Sequence, residues 1–135
     1  MNPTANCRET RLPASSAWIE IAHNGLNAAT FLKAAGKMTH VIVSTIILNE
    51  VWKYTAIHAD EARARQLIDF LQQGIVLAPD PGIAIAAADL SIRHKTAMAD
   101  SLIYATALAH KATLWTQDED FAGLPHVRYF PKIKR

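Results

Sequence analysis

The chain has 135 residues, half of them apolar, with 14 Lys and Arg against 12 Asp and Glu and a formal net charge of +2. That length supports one sizeable core and leaves little for a second domain, and so small a charge gives the whole-molecule field little hold on a polyanion. The one cysteine, Cys7, excludes an intramolecular disulfide, and its place near an unpatterned N-terminus speaks against a catalytic thiol. A reduced, cytoplasmic compartment is the expectation. No apolar run approaches the roughly 20 residues that span a bilayer, and none follows the N-terminal charges as a signal peptide requires, so no membrane contact is expected. His23, His40, His58, His94, His110 and His126 show no paired ligand spacing, which disfavours a Cys/His metal site.

Residues 1–9 read as a loose leader and residues 10–135 as a single domain, since no repeat, low-complexity tract or linker divides them. Short apolar runs at about 10–13, 41–44, 75–78, 113–116 and 127–130 are the strand candidates. Longer helix-period segments lie between them, and this alternation predicts an α/β fold: three layers, with a short, mainly parallel central sheet flanked by helices. From Ser44 to about Ile57 a helix is expected, capped by Ser44 or Thr45, with Ile47, Val51 and Tyr54 as its buried stripe. Ala64, Leu67, Ile68 and Leu71 follow at i, i+3, i+4, i+7 spacing and mark an amphipathic scaffold helix. Pro79, Pro81 and Gly82 then end a strand and restart the chain as a helix, because proline suits a first turn and not an interior. The last helix runs to about Lys111 with Asp100 in its opening turn. Trp18, Trp52, Tyr54, Phe70 and Trp115 occupy patterned positions, so core packing is a better reading of them than base stacking.

In open parallel sheets the loops leaving the strands' C-terminal ends converge on one crevice, and Ala14, Asp118 and Asp120 fall there. Each acid has a plain explanation when taken alone. Glu50 fits a solvated helix glutamate paired with Lys53. Asp100 fits a macrodipole-favoured carboxylate in a first turn. Thr116-Gln117-Asp118-Glu119 fits a capping box. The basic residues are spread unevenly: Arg8 and Arg11 open the chain, Lys132, Lys134 and Arg135 close it, and Arg63, Arg65, Arg93, His94 and Lys95 lie between. They read equally as solvated surface or as phosphate-binding edges around an acidic centre.

Four segments in order carry a family resemblance. Leu12-Pro13-Ala14-Ser15-Ser16-Ala17-Trp18-Ile19-Glu20 resembles the opening of the PIN-domain ribonucleases, especially the VapC-like toxins of type II toxin-antitoxin pairs. Ser44-Thr45-Ile46-Ile47-Leu48-Asn49-Glu50-Val51 resembles the second motif of that family. Ala99-Asp100-Ser101-Leu102-Ile103 and Ala112 to Phe121 resemble its two C-terminal signatures in order and spacing. The resemblance implies an endoribonuclease toxin with an acidic Mg²⁺ site, Mn²⁺ being an alternative. Glu50, Asp100, Asp118 and Asp120 would be its catalytic acids, with Asp100, Asp118 and Glu50 as metal ligands. Ser15, Ser16 and Thr116 would order waters or phosphate. It also implies an RNA substrate, a cognate antitoxin that inserts a basic side chain into the site, and a homodimer.

Hard divalent ions prefer oxygen ligands, so an acidic cluster suits that chemistry. The departure is Ala14, which stands where the family carries its first metal-site Asp and whose methyl group coordinates nothing. An alanine introduced to silence a toxic nuclease and a decayed copy kept for binding both account for it; four intact acids favour the first. The competing class is a catalytically dead module that binds RNA or a protein partner. A receiver-like phosphoacceptor fits less well, because one acid lies on a mid-chain helix and two follow a late strand.

Overall fold

The computed structural model describes residues 10–25 and 27–133. The expected leader, Cys7, Arg8, Lys134 and Arg135 lie outside the described residues. The strands are short: β1 (Arg11–Pro13), β2 (Ile42–Ser44), β3 (Ile75–Leu77), β4 (Thr113–Thr116) and β5 (Val127–Tyr129). The helices are α1 (Ser15–Ala22), α2 (Ala28–Ala35), α3 (Thr45–His58), α4 (Glu61–Leu71), α5 (Pro81–His94) and α6 (Met98–Ala109).

Every strand pairing described is parallel. β1, β4 and β5 form one ladder, with Leu12 opposite Leu114 and Thr116 opposite Tyr129. β2 and β3 form another, with Ile42 opposite Ile75. A single parallel bridge, Arg11 to Val41, joins the two and gives the order β3-β2-β1-β4-β5. The expected central sheet is therefore pinched between β1 and β2, where one bridge stands in place of a ladder. The order reverses direction at β1, which sets a topological switch point at its C-terminal end.

Local chemistry fixes where the helices begin. Ser44 accepts a hydrogen bond from the Ile46 N–H at 3.1 Å and starts α3, as its sequence indicated. Asp60 and Asp80 do the same for α4 and α5, accepting from Arg63 N at 2.7 Å and Ile83 N at 2.8 Å. Pro81 fills the first turn of α5, where its missing N–H is no loss. By contrast, α1 and α6 start at Ala14 and Ala97, neither of which caps with its side chain.

The main core gathers Leu12, Trp18, Val43, Ile47, Leu114 and Phe121 from strands and helices alike. A smaller cluster of Ile83, Ala87 and Ala105 seals α5 against α6. The buried stripe of α3 is Ile47, Val51 and Thr55, not the expected Ile47, Val51 and Tyr54. Three residues on from Val51 fall about 60° short of a full turn, and Tyr54 stands at the surface, stacked on His58 at 3.9 Å. Trp18 is fully buried as expected and Trp52 and Trp115 are half-buried, whereas Phe70 is exposed and only edges against Trp18 at 6.2 Å. Ile75 and Val76 are exposed as well, because β3 is an outer strand. Among the described residues no helix is long and apolar enough to cross a membrane.

Candidate functional site

The switch point brings four elements to one small cavity of about 90 Å³. β1 ends at Pro13, and Ala14 caps the start of α1 with its N–H bonded to the Trp115 carbonyl at 2.8 Å. β4 ends at Thr116 and delivers Asp118 two residues later. Glu50 comes from α3 and Asp100 from the first turn of α6. Ala14, Ser15, Ser16, Glu50, Asp100, Thr116 and Asp118 all line this cavity, so seven of the eight residues singled out in the sequence meet there. Asp120, the eighth, does not line it; the side chain is exposed and its N–H donates to Asp118 Oδ1 at 3.0 Å.

Hydroxyl groups set the carboxylates. Ser15 Oγ donates to Glu50 Oε1 at 2.7 Å, so Glu50 is held across the cavity by α1 and forms no ion pair with Lys53. Thr116 Oγ1 accepts from the Asp118 N–H at 3.0 Å, and Ser16 Oγ accepts from the Gln117 N–H at 3.2 Å. Ser16 and Thr116 hydroxyls meet at 3.5 Å and tie the exit of β4 to the start of α1. The expected capping box over residues 116–119 does not form: Asp118 is the cap, of the short 3₁₀ turn Glu119–Phe121, and Thr116 turns back onto Asp118. A shorter turn brings the backbone donors within reach of different side chains. Ile103, Leu114 and Phe121 wall the cavity, and in sequence they carry no signal beyond ordinary apolar periodicity.

Crowding shows in the electrostatics. Asp100 is pushed up from 3.8 to about 6, first by burial and then by Asp118, Glu50 and Asp120. Burial disfavours the charged form and each neighbouring carboxylate adds repulsion. The described ion pairs, Arg63 with Asp60 and Arg93 with Asp89, lie on exposed helix surface and not at the cavity. Of the basic residues weighed as phosphate-binding edges, Lys132 lines a second, adjoining pocket.

Three carboxylates facing one cavity are hard oxygen donors of the type Mg²⁺ and Mn²⁺ take, and Mg²⁺ sites need only one or two carboxylates plus water. Yet among the described residues no three Asp, Glu, His or Cys side chains come together as a ready-made metal set. Ala14 lines the same cavity, and its side chain ends at Cβ and coordinates nothing. The carboxylates present are of the chemistry that a divalent cation takes.

The fold has counterparts among known proteins. The chain superposes on a toxin-antitoxin complex from Klebsiella pneumoniae with a TM-score of 0.79 and 26% identity, covering 92% of this chain and 100% of that one. It is also similar to VapC20 of Mycobacterium tuberculosis, a sarcin-ricin loop cleaving toxin, at a TM-score of 0.72 and 19% identity over 88% of this chain and 99% of that one. VapBC2 from Rickettsia felis, bound to a DNA fragment from its promoter, gives 0.70 and 17% over 92% and 99%. No curated protein matches the sequence closely enough to count as a relative. Residues 14–127 match the PIN domain, so the chain belongs to the PIN-domain family, and its fold is that of the VapC-like toxins.

Proposed function

We propose that this fold carries the site of a metal-dependent endoribonuclease, the toxin of a toxin-antitoxin pair, and that Ala14 leaves this chain catalytically impaired. The observation that carries the reading is the convergence of Glu50, Asp100 and Asp118 on one cavity with Ala14 in its wall. Asp100 and Asp118 would hold a Mg²⁺ or Mn²⁺ ion, with Glu50 as a ligand or a partner through water and Asp120 as an outlying charge. When bound, such an ion supplies an activated water and neutralises charge on the phosphate in flight. The protein's own part is positional. Ser15 aims Glu50, while Thr116 and Ser16 fix the turn that presents Asp118.

Partners follow from the same reading: an RNA substrate, a second copy of the chain, and a small antitoxin whose basic side chain would neutralise the acidic cavity. The similarity to a toxin-antitoxin complex supports the antitoxin. RNA as substrate puts the working compartment in the cytoplasm. Purified Ala14→Asp protein, free of antitoxin, should cleave structured RNA with Mg²⁺ or Mn²⁺ and stop on addition of EDTA, while the chain with Ala14 should not. Intact total RNA and transfer RNA under both metals would end the enzyme reading. A second reading, a dead PIN module retained for binding, is favoured by Ala14 itself; it predicts RNA retention by the Ala14 protein and no cleavage after Ala14→Asp.

A further inference from the structure

Beside the carboxylate cavity, and sharing Ser16 and Asp118 with it, lies a larger pocket of about 540 Å³. Pockets that take small organic ligands run from about 300 to 1,000 Å³. Gln117, Glu119, Tyr129, Pro131 and Lys132 complete its lining. We propose that this pocket is a nucleotide subsite that reads a guanine base through Gln117 and Glu119. The inference rests on the ribonuclease reading above and names a base in its substrate.

The orientation of the Gln117 amide carries the proposal, because the two ends of an amide are told apart by the partners they meet. The backbone carbonyl of Pro131 only accepts, so the Asn27 group 3.1 Å from it is the NH₂. That same Asn27 NH₂ lies 2.9 Å from the Gln117 side chain, which must therefore turn its oxygen toward Asn27. Gln117 is just 6% exposed, and its backbone N–H is engaged by Ser16. No described residue engages the Gln117 NH₂. A locked donor is thus the half of this amide left for the pocket it lines, where an acceptor on a ligand can take the place of water.

Adenine is recognised by an amide through its oxygen and NH₂ together, and here one of the two lone pairs of that oxygen is engaged by Asn27, which leaves the NH₂ as the unengaged end. Guanine O6 suits the remaining donor. Glu119, two residues on and exposed, forms no described ion pair and supplies an acceptor. A carboxylate takes the N1–H and 2-amino groups of guanine as a charge-assisted, two-point contact, where uracil offers one N–H and cytosine an amine in place of the carbonyl. Tyr129 brings a half-buried ring on which a base stacks, and Lys132 a cation for backbone phosphate. The pairing of Tyr129 with Thr116 across β5 and β4 sets this ring next to the hydroxyl that holds the Asp118 N–H. A base in the pocket therefore sits beside the carboxylates.

Titration of GMP, AMP, UMP and CMP into the chain as it stands, followed by ¹⁵N NMR, tests the assignment. GMP should bind about tenfold more tightly than the others and move the Gln117 side-chain NH₂ signal. Gln117→Glu keeps an oxygen for Asn27 and exchanges the pocket-facing donor for an acceptor, so it should cancel the preference. Glu119→Gln should weaken GMP about tenfold. Four nucleotides binding alike, or a guanine preference that survives Gln117→Glu, overturns the inference. Because this binding needs neither metal nor cleavage, the two readings fail separately. A guanine preference alongside an Ala14→Asp protein that leaves RNA intact would remove the ribonuclease and keep the pocket. Cleavage by Ala14→Asp with no guanine at the cut and no GMP preference would do the opposite.

Discussion

Asp100 is the residue whose environment says most about the cavity. Its carboxyl is pushed up from 3.8 to about 6, chiefly because it is buried and then because Asp118, Glu50 and Asp120 repel it. A raised acid means the folded state binds the proton more tightly than the unfolded chain does. Stability contributed by the protonated form is complete at low pH and is lost as pH rises from about 4 through about 6. Asp100→Asn removes that loss. In metal-free protein it should raise stability at pH 7.5 by about 1 kcal/mol, the nominal figure being reduced for solvent screening of a partly exposed group. Urea unfolding at pH 4 and 7.5 checks this, and a variant no more stable at the higher pH would mean that burial and the neighbouring carboxylates do not raise the Asp100 carboxyl. Ala14 acts in the same direction, since one acid fewer relieves repulsion. Among single residues, Glu50, Asp100 and Asp118 were legible from sequence through family resemblance alone, because each has an ordinary explanation by capping or solvation. Gln117 was not legible, for its orientation depends on Asn27, 90 residues away along the chain.

At the scale of elements, the helix starts follow local rules closely. Ser44, Asp60 and Asp80 each cap where a side-chain oxygen precedes a helix, and these bonds are formed within a few residues. Asp80→Ala should cost about 1 kcal/mol of stability, with Mn²⁺ binding unchanged because Asp80 lies away from the carboxylate cavity. Guanidinium unfolding with a parallel metal titration separates the two effects, and a loss of metal affinity would mean that α5 helps to set Asp100. Strand positions were readable for the same local reason, each being a short apolar run between turn signals. The pinch between β1 and β2 was not, since a lone bridge between Arg11 and Val41 depends on how two ladders settle around β1. Tyr54 illustrates a smaller limit: apolar spacing marks a helix but leaves its inward face uncertain by one position, and packing chose Thr55. The capping box over residues 116–119 gave way for a tertiary reason, because Ser16 and Thr116 join two elements there.

For the whole molecule, the parallel order β3-β2-β1-β4-β5 is what makes a site out of scattered acids. Residues 14, 50, 100 and 118 are far apart in sequence and meet because β1 lies at the switch point, with α1, α3 and α6 closing around it. Carboxylates brought together this way repel one another, as the raised Asp100 shows, and a bound cation would relieve that repulsion. Chelator-treated protein with Ala14 should therefore melt higher than its Ala14→Asp variant at pH 7.5, and added Mn²⁺ should raise the variant more. Equal melting in EDTA together with equal response to Mn²⁺ would mean that position 14 does not face the carboxylates.

If an Asp at position 14 completes a divalent-metal site with Asp100, Asp118 and Glu50, calorimetric titration of Mn²⁺ into the Ala14 and Ala14→Asp proteins will register it. Loss of a group that merely supports a ligand already costs about 10- to 100-fold in metal affinity. The Ala14→Asp protein should therefore bind one Mn²⁺ at least about tenfold more tightly than the chain with Ala14, and Asp100→Asn should abolish the gain. Matching isotherms for Ala14 and Ala14→Asp, or a gain that persists in Asp100→Asn, would contradict it.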